Sequence, residues 1–132
     1  MTRTINVALV GSKFMGRAHS NAWLNVSRFF DCDPRPVMHT VIGRNADELT
    51  AFAERWGWLD ATVDWRGGVT DDAVDLVDIG TPNNVHAEQA IAALEAGKHV
   101  ACRHPPHDLE QHGRINFGTG NVRSADGVAV HR

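Results

Sequence analysis

The chain opens on a short apolar run, Ile5-Asn6-Val7-Ala8-Leu9-Val10, that stops at Gly11. A run of that length, apolar at nearly every position, predicts a strand buried on both faces. Met15, Ala18, Ala22, Trp23 and Val26 then recur at helical spacing and predict an amphipathic helix over about residues 15–26, these side chains inward. Two prolines in Asp31-Cys32-Asp33-Pro34-Arg35-Pro36 interrupt helix, and Val37 to Ile42 predicts a second strand ending at Gly43. Asn45, with Glu48 three residues on, is a capping-box variant for a helix striped by Leu49, Phe52, Ala53 and Trp56 and stopped by Gly57. A short strand is expected at Ala61-Thr62-Val63 and a firmer one at Leu76-Val77-Asp78-Ile79. Past Thr81-Pro82-Asn83-Asn84 comes a helix with Ala87, Ala90, Ile91 and Leu94 inward, closed by Gly97-Lys98, and then a strand at His99-Val100-Ala101-Cys102. Strands and helices alternating through short joints imply an α/β fold: a parallel sheet with helices on both faces.

Composition divides the chain near Cys102. Residues 1–102 carry the apolar periodicity and are expected to be one folded domain, whereas 103–132 are His- and Gly-rich, carry no sustained period and are expected to be an irregular tail. A length of 132 residues suits a single domain with a real core. Thirteen Lys and Arg against sixteen Asp and Glu leave −3, which argues against nucleic acid as the main partner. No apolar run approaches the roughly 18 residues of a membrane span, and the opening apolar stretch is too short for a signal peptide. Two cysteines, Cys32 and Cys102, make no disulfide framework, so a cytoplasmic chain with reduced thiols is expected.

The chemistry begins at Gly11-Ser12-Lys13-Phe14-Met15-Gly16, between the first strand and first helix. In a G-x-G-x-x-G turn the first glycine permits the bend, the second lets backbone approach a pyrophosphate, and the third lets helix and strand pack closely. Phosphate then meets free amides and the positive end of the helix dipole. Here Lys13 stands at the second glycine, where it would either obstruct that approach or supply a cation. A plain strand-to-helix turn explains the two remaining glycines equally well. The second strand ends in Gly43-Arg44-Asn45 without the acid that would receive a ribose 2′-hydroxyl. Arg44 can pair with a 2′-phosphate or stack on adenine, which tilts the reading toward NADP, with an ordinary surface arginine as the plain alternative.

Three blocks together resemble the N-terminal cofactor domain of the Gfo/Idh/MocA oxidoreductases, which act on sugars, inositols and related polyols. They are Val7 to Gly11 continuing through Gly16-Arg17-Ala18-His19, then Val77-Asp78-Ile79-Gly80-Thr81-Pro82-Asn83-Asn84-Val85-His86, then Ala92 to Val100. The stretch Phe14 to Trp23 looks like an inositol-dehydrogenase-like branch. The resemblance implies a Rossmann-type fold that binds NAD or NADP. It also implies that Phe14 and Met15 lie along the pyrophosphate and ribose, that Thr81, Pro82 and Asn83 line the cofactor, and that His86 starts the next helix. Taken alone, Thr81 and Asn83 are equally well helix caps, and His19 and His86 ordinary helix-surface residues.

After Cys102 the pattern departs from the family. Where the family carries a Glu-Lys-Pro motif with its acid/base lysine, this chain has Arg103-His104-Pro105, leaving His104 as the one conceivable proton carrier there. No alternating strands follow to build a substrate domain, as at a reading-frame shift, a truncated copy or a junction with foreign sequence. Cofactor binding without turnover is therefore expected, a non-enzymatic dinucleotide-binding module or an inert relic being the alternatives. Cys102, His104, His107 and His112 could form a zinc-binding tail, but their spacing fits no zinc module and Pro105-Pro106 would stiffen the loop. The pairs Asp31/Asp33 and Asp71/Asp72 read as solvated loop residues and Trp23, Trp56, Trp58 and Trp65 as packing. A sheet lacking its later strands is expected to expose apolar surface and to self-associate.

Overall fold

The computed structural model describes residues 3–81 and 83–102 and the backbone of two further strands at 122–123 and 129–131, side chains at 83–86 and in those two strands excepted. In chain order the elements are β1 (Thr4–Val10), α1 (Phe14–Phe29), β2 (Arg35–Ile42), α2 (Ala46–Trp56), β3 (Asp60–Thr62), α3 (Trp65–Thr70), β4 (Leu76–Ile79), α4 (Asn83–Glu95), β5 (His99–Cys102), β6 (Val122–Arg123) and β7 (Ala129–His131). They make one sheet in the order β3-β2-β1-β4-β5-β7-β6. The first five strands are mutually parallel, while β7 runs antiparallel to β5 and β6 antiparallel to β7.

Strand β1 is the middle one of the five parallel strands, and Val7, Ala8, Leu9 and Val10 are all buried, as an unalternating apolar run requires. Its side chains divide between two cores. Val7 and Leu9 join Val41, Leu49, Phe52, Ala53 and Trp58 beneath α1 and α2. Ala8 and Val10 join Ile42, Val77, Ile79, Val100 and Cys102 against Val69 of α3 and Ala90 and Ala93 of α4. Each fully buried Val, Leu or Ile contributes about 1.5–3 kcal/mol, so these two layers carry most of the fold's stability. Among the described residues no helix is long and apolar enough to cross a membrane.

Several local expectations need correction. In α1 the residues facing the sheet are Gly16 and Ser20, flanked by half-buried Met15, His19, Trp23 and Val26, whereas Ala18 and Ala22 are exposed. Hydrophobic spacing misplaced this face because the helix approaches the sheet on small residues and a polar network. The helix also runs on to Phe29, and β2 starts two residues early at Arg35. Pro36 is tolerated there because β3 pairs only with Thr40 to Ile42, leaving the outer side of β2 free at Pro36. Helix α3 went unread because Gly67 and Gly68 fall inside it. Asp64 caps it, accepting from the Gly67 N–H at 3.1 Å, and a β-carbon at Gly68 would meet Ile42 Cδ1 at 2.6 Å, so glycine permits the close approach. The weak strand lies at Asp60–Thr62, one residue early. Within 103–132, the stretch expected to be irregular, β6 and β7 are described; strands of two and three residues are set by pairing, not by period.

Helix α2 follows its sequence signals at both ends. Asn45 Oδ1 accepts from the Glu48 N–H at 3.1 Å, and Gly57 takes the left-handed conformation at φ +86°, its N–H bonding to the Ala53 carbonyl. The Glu48 carboxylate does not return to complete a capping box among the described hydrogen bonds. It faces the Lys13 Nζ at 3.4 Å.

Candidate functional site

The strand order reverses at β1, which has β2 on one side and β4 on the other. In open α/β sheets a crevice forms beyond the carboxyl ends of the strands at such a point. Three turns meet there: Gly11–Lys13 after β1, Gly43–Asn45 after β2, and Gly80–Thr81 after β4. Backbone bonds clamp them together, the Gly11 N–H donating to the Ile42 carbonyl and the Gly80 N–H to the Val10 carbonyl, both at 2.8 Å.

Glycine is required at both ends of the first turn. Gly11 has φ +113°, and a β-carbon there would lie 3.1 Å from the Gly80 carbonyl carbon and oxygen. A β-carbon at Gly16 would lie 2.3 Å from the Gly11 carbonyl oxygen. The start of α1 thus folds tightly onto its own turn. The backbone ladder begins with the Arg17 N–H bonding to the Lys13 carbonyl, so the amides of Phe14, Met15 and Gly16 lie ahead of it. Lys13, at the N-cap, supplies no side-chain cap, and the first turn holds no acid. By contrast Asn45 caps α2 and Asp64 caps α3. A tight glycine cradle below a helix start with uncapped amides and a positive dipole end fits the diphosphate of a dinucleotide.

Lys13 does not close this turn. Its side chain is 86% exposed and leans toward Glu48 across the β2 turn. Phe14 opens α1 and is 70% exposed, and Met15 is half-buried, its Cβ near the Gly80 backbone. Arg44 is exposed just after β2. On the far side of the crevice Thr81 is half-buried and donates its hydroxyl to Gln89 Oε1 at 2.7 Å, tying the β4 turn to α4. Asn83 and His86 belong to the first turns of α4, their side chains outside the described residues, as are Pro82 and His104. The turns and helix start that carry Gly11, Lys13, Phe14, Met15, Gly16, Arg44 and Thr81 therefore lie at the carboxyl ends of β1, β2 and β4.

One buried network escaped the sequence reading. Asp78 of β4, 5% exposed, accepts from the Trp23 Nε1–H at 2.8 Å and hydrogen-bonds His19 Nδ1, which lies 2.9 Å from both carboxylate oxygens. Its signal was present: a carboxylate inside Leu76-Val77-Asp78-Ile79 demands donors from whatever covers that strand. The network ties α1 to β4 and so sets the two sides of the crevice relative to each other. Beside it the Trp58 Nε1–H donates to the buried Ser20 hydroxyl at 3.0 Å. Burial, with Asp78 nearby, pushes the Cys102 thiol up to about 11.

Among the described residues no three His, Cys, Asp or Glu side chains converge as a metal site requires. Of the zinc-tail candidates Cys102 is buried on β5, and His104, His107 and His112 lie outside the described residues. Asp33 pairs with Arg3 on the surface, and Asp71 Oδ1 accepts from the Ala73 N–H, which gives each a local role.

Residues 5–115 match the profile of a family described as an oxidoreductase family with an NAD-binding Rossmann fold, GFO_IDH_MocA. Levoglucosan dehydrogenase of Pseudarthrobacter phenanthrenivorans is 45% identical over 104 residues, 78% of this chain and 27% of that protein. The scyllo-inositol 2-dehydrogenase (NADP(+)) of Bacillus subtilis is 35% identical over 65 residues, 49% of this chain and 20% of that protein. A solved levoglucosan dehydrogenase in complex with NADH superposes with a TM-score of 0.71 at 43% identity, over 74% of this chain and 27% of that one. The chain thus spans about a quarter of the length of these relatives.

Proposed function

Because this chain belongs to the Gfo/Idh/MocA oxidoreductases and forms their NAD-binding Rossmann domain, we propose that it serves as the cofactor-holding part of an enzyme acting on a sugar or polyol. The carrying observation is the turn from Gly11 to Gly16, where added β-carbons would strike backbone and the helix start is uncapped. On this reading the amides of Phe14, Met15 and Gly16 bind the diphosphate. Met15, Thr81, Pro82, Asn83 and His86 line the path toward the nicotinamide, and Arg44 stands by the adenosine ribose. When bound, the nicotinamide supplies or accepts the hydride. This chain's residues hold it, orient it and shield it from water on the sheet side.

Arg44, with no acid directly after β2, favours NADP(H) over NAD(H). The substrate class rests on the relatives, whose names include a levoglucosan and an inositol dehydrogenase. The chain as it stands binds cofactor without turnover, since Arg103-His104-Pro105 replaces the motif bearing the acid/base lysine. Separate titrations with NADH and NADPH, followed by quenching of the four tryptophans, test this. Binding in the micromolar range, abolished in Gly11→Val, is the expected result. No binding of either at millimolar concentration refutes it and leaves an inert relic of the fold.

A further inference from the structure

Resting on that cofactor reading, we propose that Glu48 is a specificity-determining residue, which neutralises Lys13 and so keeps a ribose 2′-hydroxyl competitive with a 2′-phosphate at the junction of the β1 and β2 turns. Lys13 occupies the glycine position of the turn, yet its amine pairs with Glu48 Oε2 in the first turn of α2 at 3.4 Å. The two turns are in contact: a β-carbon at Gly43 would lie 3.2 Å from Ser12 Oγ. The adenosine ribose of a dinucleotide seated on the first turn is contacted at the end of the second strand. The Lys13–Glu48 pair therefore spans the place where the 2′-substituent must be accommodated.

The charges around that junction are Lys13 and Arg44 against Asp47 and Glu48, which sum to zero. A 2′-phosphate brings close to two further negative charges. With Glu48 in place it must compete for Lys13, so cation and phosphate pair only after the Lys13–Glu48 contact opens. That contact is weak, because both side chains are largely in water at 86% and 62% exposure. It does little for stability and is cheap to exchange. A neutral 2′-hydroxyl gains a carboxylate acceptor instead. The sequence signal for Glu48 was a capping-box role, and the structure sends its carboxylate to Lys13.

The test is the ratio of NADPH to NADH dissociation constants, read from nicotinamide and tryptophan fluorescence in the parent chain, Glu48→Gln and Lys13→Met. Both positions are exposed, so equal far-ultraviolet circular dichroism and unfolding midpoints are expected. Glu48→Gln should shift the ratio toward NADPH by about tenfold and Lys13→Met toward NADH by about as much. Both shifts should shrink several-fold at 0.5 M salt, as exposed charge effects do. A parent chain that binds, with a ratio unmoved in both variants or moved equally at low and high salt, overturns this inference alone. A parent chain that binds neither dinucleotide overturns the cofactor reading, and this inference with it.

Discussion

Replacing Gly16 by alanine tests the packing on which the crevice depends. The new methyl group would lie 2.3 Å from the Gly11 carbonyl oxygen and 2.9 Å from its carbon, with Phe52 Cζ at 3.5 Å from the same point. Ordinary carbon–oxygen approaches are about 3.3–3.6 Å, so α1 must withdraw by about 1 Å or the turn must open. The obstacle is backbone, which cannot swing aside, and Phe52 blocks the neighbouring direction. Overpacking of this kind costs about 1–3 kcal/mol or more. Against it stands the helix propensity of alanine over glycine, about 1 kcal/mol. A 2.3 Å approach to backbone puts the overpacking cost at its upper end, about 3 kcal/mol, so the net expectation is destabilisation of about 2 kcal/mol, or about 1 M in urea midpoint for an m-value of about 2 kcal/mol per molar. Ala18→Gly, two residues on at an exposed position, isolates the propensity and should cost about 1 kcal/mol. Unfolding followed by tryptophan fluorescence measures both. A Gly16→Ala midpoint equal to or above the parent's refutes the close packing, and the account of the turn with it.

Asp78→Leu strips the partner from the Trp23 indole and from His19 Nδ1, and should cost about 2–5 kcal/mol in the same unfolding assay. In a cycle with Trp23→Phe a coupling of at least about 0.5 kcal/mol is expected, and additivity would dissolve the network. Trp58→Phe orphans the buried Ser20 hydroxyl, whereas the Trp56 indole N–H is buried without a partner among the described residues. Trp58→Phe should therefore be costlier than Trp56→Phe by about 1–2 kcal/mol, and equal midpoints would count against the Ser20 bond. With its thiol at about 11, Cys102 should resist iodoacetamide at pH 8, where only about one thiol in a thousand is thiolate. Because that value is raised above the ordinary thiol value of 9.0, the associated stability is complete below pH 9 and lost as pH climbs through 11. Chemical denaturation between pH 8 and 11 checks the sign against Cys102→Ala, which should lack that part of the slope. Phe14, Leu24, Phe29 and Phe30 are exposed along and just past α1, so sedimentation should show concentration-dependent self-association that weakens in Phe29→Ser/Phe30→Ser.

The apolar runs at Val7–Val10, Val37–Ile42, Leu76–Ile79 and His99–Cys102 and the glycine, proline and asparagine signals between them were enough to specify a parallel α/β sheet and the glycine turn after its first strand. Strand burial and helix ends are local matters, settled by residues a few positions apart. The Asn45 cap, the Gly57 stop and the Gly11 bend are legible for that reason. Tertiary structure alone decided the rest. It turned α1 on its axis so that Gly16 and Ser20 meet the sheet while Ala18 and Ala22 face water, because a helix seated on backbone and a buried carboxylate need not follow its hydrophobic stripe. It joined Asp78 to His19 and Trp23, and Lys13 to Glu48, across 59, 55 and 35 residues of chain. Such pairings arise from the order in which strands assemble, and chain spacing carries no record of that order.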